Sequence, residues 1–199
     1  MPDMEIGQAL SHIKEIRQAL VGTQIYRGHR PITVAATGLI AVVAACLIDP
    51  LVFSPALSWL AVGVVSFLVV GGEMAHDYYY SFGSTQQRLA RQVLNQFLPP
   101  LGAGAAATYA ILHGDLSPTL LPALWAAFFG MSLFAARPYL GRGVGWVALF
   151  YTVAGISLFS PAGQATGFTA MGLVFGFGQL FLALILQWNL PRETMGGAQ

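Results

Sequence analysis

The sequence predicts an all-α polytopic membrane protein of six transmembrane helices in three hairpins, preceded by an N-terminal amphipathic interfacial helix. Of 199 residues, 56% are hydrophobic and only 9% charged, whereas a soluble domain carries about 25% charged residues. Mean hydropathy is +0.66 over the whole chain. Long stretches free of Asp, Glu, Lys and Arg recur, and they are apolar on all sides rather than alternating as barrel strands do. This composition excludes a soluble enzyme, a disordered chain and a nucleic-acid binder. The single cysteine, Cys46, excludes an internal disulfide framework and a cysteine-based zinc site.

The first thirty residues form their own segment. Met4, Ile6, Ala9, Leu10, Ile13, Ile16 and Leu20 recur at mostly helical steps, with Gln8, Ser11, Lys14, Glu15 and Gln18 opposite. Such a helix lies on the inner membrane surface or packs on the bundle. Its stripe lacks Trp and Phe and its polar face mixes both charges, which favours docking against protein, its own or a partner's. No cleavable secretory signal is expected, because the first apolar run begins after residue 30. Arg27, His29 and Arg30, beside Tyr26, are placed to contact lipid headgroups.

A helix needs about 20 apolar residues to cross the hydrocarbon core. The charge-free stretches divide into spans at Ile32–Ile48, Ala56–Gly72, Phe97–His113, Thr119–Ala136, Val144–Phe159 and Gly167–Leu190. The last two are separated at the turn-type cluster Ser160–Gln164. The transmembrane domain is therefore 31–191, followed by a tail at 192–199. Ser-Pro occurs at 54–55, 117–118 and 160–161, once in each outer loop. Between spans two and three, residues 84–94 read as a helix at the membrane surface, with a break or kink at Pro99-Pro100.

Orientation follows from charge. With six spans, all nine Lys/Arg residues fall on one face, and the opposite loops carry only Asp49 and Asp115. The positive-inside rule makes the basic face cytoplasmic, with both termini inside.

Two further groups of residues are candidates for function. Glu73, His76 and Asp77 stand at i, i+3 and i+4 after span two. Glu-x-x-His supplies a carboxylate and an imidazole to metals in helical bundles. The alternative is a polar helix end in which Glu73 or Asp77 pairs with Arg88, Arg91, Arg137 or Arg142. Glu73, the deeper by sequence, is expected to matter more. Thr108, Tyr151 and Gln179 lie within spans and are candidates for a polar pocket, the mid-span amide needing a partner. The other reading is hydroxyls bonded to helix carbonyls. No ionisable residue falls near a predicted midplane, which argues against proton-coupled transport. Small residues mark the packing surfaces. Gly102–Ala107 suggests a narrow third span in the middle of the bundle, and Gly172-x-x-x-Gly176 a close helix contact.

Ile13-Lys14-Glu15-Ile16-Arg17, the Tyr26–Pro31 segment and Trp125 in the fourth span resemble small bacterial multi-pass inner-membrane proteins. The resemblance implies a six-span bacterial membrane fold and no activity. No hydrolase, Walker or Rossmann motif occurs, and no cofactor is predicted. The expected function is a non-enzymatic membrane protein: a sensor, partner-binding subunit or lipid-associated scaffold. Its partners would be membrane lipids, a protein or a second copy, and not nucleic acid. A facilitator or channel for a neutral or amphiphilic solute is the alternative, and a membrane enzyme or metal site at Glu73, His76 and Asp77 the third.

Overall fold

The computed structural model describes Tyr26, residues 30–47 and residues 54–189. The amphipathic segment before residue 26, with Arg27, His29, Asp49 and the tail, lies outside the described residues. These contain six α-helices and no strand. They are α1 (Pro31–Leu47), α2 (Pro55–Tyr80), α3 (Ser84–His113), α4 (Leu121–Leu140, after a 3-10 turn at Pro118–Leu120), α5 (Val144–Leu158) and α6 (Pro161–Trp188).

Three helical stretches are long and apolar enough to cross a membrane: Pro55–Tyr80, Pro118–Leu140 and Pro161–Trp188. The other three differ for identifiable reasons. α1 has 17 residues and α5 has 15, which at 1.5 Å per residue gives about 25 and 23 Å against a core of about 30 Å. α3 has 30 residues, but its first turns are the polar run Ser84–Gln92 and its middle is glycine, alanine and proline.

Helix starts explain the repeated Ser-Pro pairs. Ser54, Ser117 and Ser160 are each the N-cap of the following helix or 3-10 turn, with proline in its first turn. Proline suits that position because its missing N–H would have no intrahelical partner. Ser160 Oγ accepts from the Gly163 amide at 3.1 Å. The last helix thus begins at Pro161, six residues before the expected start of the span. The helical path of α3 runs unbroken through Pro99 and Pro100, although Asn95 and Gln96 carbonyls lose their amide donors there.

Chain neighbours are not always the closest partners. The most extensive interface joins α4 to α5, followed by α1 with α6 and α3 with α4; α1 with α2 is slight, and α2 with α3 slighter still. Glycine permits the two closest approaches. A Cβ on Gly155 would fall 2.7 Å from the Ala127 amide nitrogen, and one on Gly130 2.9 Å from the Ala148 oxygen, so α4 and α5 meet backbone to backbone. Gly172 and Gly176 instead make room for side chains, those of Ala45 and Val42 of α1. The small-xxx-small motif of α6 therefore packs inside the chain.

α3 is not central. It buries Gly104, Thr108 and Ile111 along one line against α4, while Gly102, Ala103, Ala105 and Ala106 are exposed. Narrowness on every side was thus no guide to position; only one line of small residues is used. α4 and α5 form the core instead, where Leu133, Ala136, Val147, Ala148 and Tyr151 are at most 1% exposed. The α4–α5 turn carries Gly141 and Gly143 at φ 95° and 92°, a region costly for any side chain.

Candidate functional site

The helices bring one end of the bundle together from distant parts of the chain. All five described arginines flank that end: Arg30 before α1, Arg88 and Arg91 in the first turns of α3, Arg137 in the last turn of α4, and Arg142 in the following turn. Gln164 and Thr119 meet at the opposite end, with Thr119 Oγ1 donating to Gln164 Oε1 at 3.1 Å.

α2 continues through Gly71-Gly72 to Tyr80, so Glu73 and Asp77 are one helical turn apart. Arg30 is the residue whose carbonyl accepts the first amide bonds of α1, from Thr33 and Val34. Its side chain crosses to α2 and spans both carboxylates. Arg30 Nε lies 3.3 Å from Glu73 Oε1, and Arg30 Nη2 lies 3.0 Å from Asp77 Oδ1 and 3.3 Å from Oδ2. Asp77 is the drier carboxylate, its side chain 6% exposed against 18% for Glu73. Depth in the sequence and depth in the fold are therefore opposite, because Asp77 faces the bundle at the helix end. Arg30 takes the place expected of Arg88, Arg91, Arg137 or Arg142. Among the described residues none of those four pairs with a carboxylate.

Tyr26 closes the cluster from below. Its amide donates to the Tyr139 carbonyl at 2.8 Å, and its ring meets Phe82 edge-on at 5.9 Å. Burial pushes the phenol well above the ordinary tyrosine range, reinforced by the negative charges of Asp77 and Glu73. Protonated tyrosine is thus the form this corner holds.

His76 does not join the carboxylates. Its side chain is 67% exposed, its Nδ1 is 3.5 Å from Asp77 Oδ1, and its ring leans on Tyr80. That separation is beyond an ordinary hydrogen bond. With a guanidinium already between Glu73 and Asp77, the three predicted ligands do not converge. Among the described residues no group of three or more His, Cys, Asp or Glu side chains could hold a metal ion. Chemically the arrangement is a two-carboxylate ion bridge that fastens the start of α1 to the end of α2.

The turn beyond it is also fastened. Arg91 Nε donates to the Tyr78 hydroxyl at 2.7 Å, and Gln87 Nε2 donates to the Tyr78 carbonyl at 2.9 Å. Arg137 lies over the Phe134 ring at 6.0 Å.

Thr108, Tyr151 and Gln179 have separate surroundings. Thr108 donates to the Gly104 carbonyl at 2.8 Å and accepts from Trp125 Nε1 at 2.8 Å. Tyr151 is enclosed by Phe129, Phe150 and Phe175, and its ring sits against Gly178. Gln179 is half-buried beside Gly38 of α1. Thr37, Ser132 and Thr152 bond carbonyls of their own helices. The Trp125–Thr108 bond and the Arg30 bridge were not foreseen. Both link residues distant in the chain, and neither has a local spacing that would reveal it. No family model, curated protein or solved structure matches the chain.

Proposed function

We propose that this chain is a six-span integral protein of the bacterial inner membrane, with both termini cytoplasmic, and that it works without catalysis as a lipid-associated scaffold. The observation that carries the reading is the filled centre of the bundle. Tyr151 is fully buried among Phe129, Phe150 and Phe175, and the layers around it are Leu133, Val147 and Ala148. A facilitator would need a polar path through this region. The groove on the outer face of α5 is instead apolar, lined by Trp146, Leu149, Phe150, Val153 and Ala154, a surface suited to lipid chains. The arginine-rich end supports the orientation, since arginines favour the cytoplasmic side. The Arg30 bridge supports a structural use for Glu73 and Asp77, because it neutralises the carboxylates that a metal would need.

Native mass spectrometry of the purified full chain, with elemental analysis, tests the proposal. Retained phospholipid or a retained protein subunit, without stoichiometric metal, is the expected result. A metal ion or a small polar solute bound at one per chain would overturn it.

A further inference from the structure

The exposed apolar side chains of three helices stop short of a full bilayer. On α1 the large ones run from Ile32 to Leu47, on α5 from Trp146 to Phe159, and on α6 from Leu173 to Trp188. At 1.5 Å per residue these runs are about 22, 20 and 22 Å long, against a hydrocarbon core of about 30 Å. α3 has a similar run from Leu98 to Leu112, about 21 Å long, bounded by exposed Asn95, Gln96 and His113. α2 exposes a longer one, Leu57 to Ala75, of about 27 Å.

The runs of α1, α5 and α6 lie at one depth, because α6 packs against both of the others. Gly38 meets Gln179 and Ala45 meets Gly172, so Ile32 is about level with Ile185 and Leu47 with Ala170. Tyr151 meets Gly178 and Gly143 meets Ile185, so Trp146 is about level with Ala183 and Phe159 again with Ala170. The inner edge of this belt is marked by polar groups and tryptophans. Arg30 precedes α1, Arg142 precedes α5, and Asn189 Nδ2 after α6 donates to the Arg142 carbonyl at 2.8 Å. Trp146 is 68% and Trp188 82% exposed. At the outer edge α5 ends before Ser160-Pro161, and α6 exposes Ala165, Thr166 and Thr169 in place of large apolar residues.

We propose that this side of the bundle is an interaction surface for phospholipids with short acyl chains, with Arg142 at the level of their phosphates and Trp146 and Trp188 at the headgroup boundary. The proposal rests on the membrane reading above. A belt shorter than the hydrocarbon thickness thins the bilayer around it or gathers lipids whose chains already match, because mismatch carries a cost for every ångström. The shortfall here is about 8 Å. Tilting cannot relieve it, since tilt lowers the height that a helix spans. Arg142 has no carboxylate partner among the described residues, so its guanidinium is left to meet a phosphate, and tryptophan rings settle at the same level.

The test places the full-length protein in phosphatidylcholine vesicles with myristoleoyl, oleoyl or erucoyl chains, in order of increasing length, and follows unfolding by circular dichroism. The melting temperature should be highest in myristoleoyl vesicles and about 5 °C or more lower in erucoyl vesicles. Thr166→Leu together with Thr169→Leu, both at exposed positions, lengthens the apolar run of α6 toward the outer face and should narrow that difference. Lipid with brominated chains should quench the fluorescence of Trp146, a component that Trp146→Phe removes. A highest melting temperature in oleoyl or erucoyl vesicles, no dependence on chain length, or an unchanged difference in the double variant would overturn the proposal. Escape of Trp146 from quenching would assign this side to a second copy instead. Release of the protein from native membranes by alkaline carbonate would refute the membrane reading itself, separately from the chain-length preference.

Discussion

Replacing Arg30 with glutamine should destabilise the chain more than neutralising either carboxylate. Arg30 is the single cation between Glu73 and Asp77, so its loss leaves two negative charges facing each other, one of them buried. Removing one member of a fully buried pair costs about 3–5 kcal/mol, whereas exposed pairs contribute about 0–1 kcal/mol. Arg30 is 61% exposed and Asp77 only 6%, so the bridge falls between these limits and Arg30→Gln should cost about 2 kcal/mol. Asp77→Asn removes a drier carboxylate that takes two bonds, and should cost about 1 kcal/mol; Glu73→Gln, with one bond at 3.3 Å and a wetter side chain, about half that. For a chain of this size 1 kcal/mol moves the melting temperature by about 2–4 °C. Thermal unfolding in detergent therefore resolves the order. The double variant Arg30→Gln, Asp77→Asn should lose less than the sum of the single losses, because the buried charge left by the first change is removed by the second. A larger loss for Glu73→Gln than for Asp77→Asn would refute the order drawn from burial. Additive losses would refute the bridge.

Three further outcomes follow from the same geometry. The raised pKa of Tyr26 means that the unfolded chain releases this proton first as pH rises, so stability should decline above pH about 10; Tyr26→Phe should flatten that decline in alkaline melting curves, and an unchanged slope would contradict the buried phenol. Gly155→Leu should prevent α4 and α5 from meeting and cost at least about 3 kcal/mol, while Gly63→Leu, with nothing within 4 Å of its Cβ, should melt like the unmodified protein. With Cys46 replaced by serine, cysteines at 115 and 164 should react with an impermeant reagent outside the cell and those at 84 and 140 should not; the reverse pattern would invert the proposed orientation.

Much of the fold was legible because apolar runs and their boundaries are local properties. The two shortest apolar runs, α1 and α5, were found within one or two residues. Helix starts were less legible. Ser160-Pro161 reads as a turn in sequence, yet the same dipeptide is a cap followed by a first-turn proline, and only the Ser160–Gly163 bond distinguishes the two. Which helices pack together was not legible beyond its markers. Gly172 and Gly176 announced a close contact, but nothing in their spacing names α1 as the partner. The small residues of α3 announced a contact on all sides where only Gly104 and its line make one.

The polar end of α2 shows why site residues are harder to read than helices. Helical spacing correctly puts Glu73 and Asp77 one turn apart, but a spacing rule treats a helix as isolated and assigns His76 to the same face. In the bundle that face is divided by depth. Asp77 turns toward the Val34, Met74 and Tyr26 cluster, while His76 turns outward onto Tyr80. The choice of counter-ion is likewise a tertiary matter. Arg88 and Arg91 are nearer to Asp77 along the chain, but Arg91 is taken by the Tyr78 hydroxyl on the exposed side of the α2 end. Arg30, 47 positions distant, is delivered by the start of α1. Arg88, Arg91, Arg137 and Arg142 are then left without an acidic partner among the described residues. One ion bridge thereby fastens the start of α1 to the end of α2 and leaves the arginines of α3, α4 and the α4–α5 turn without a described carboxylate.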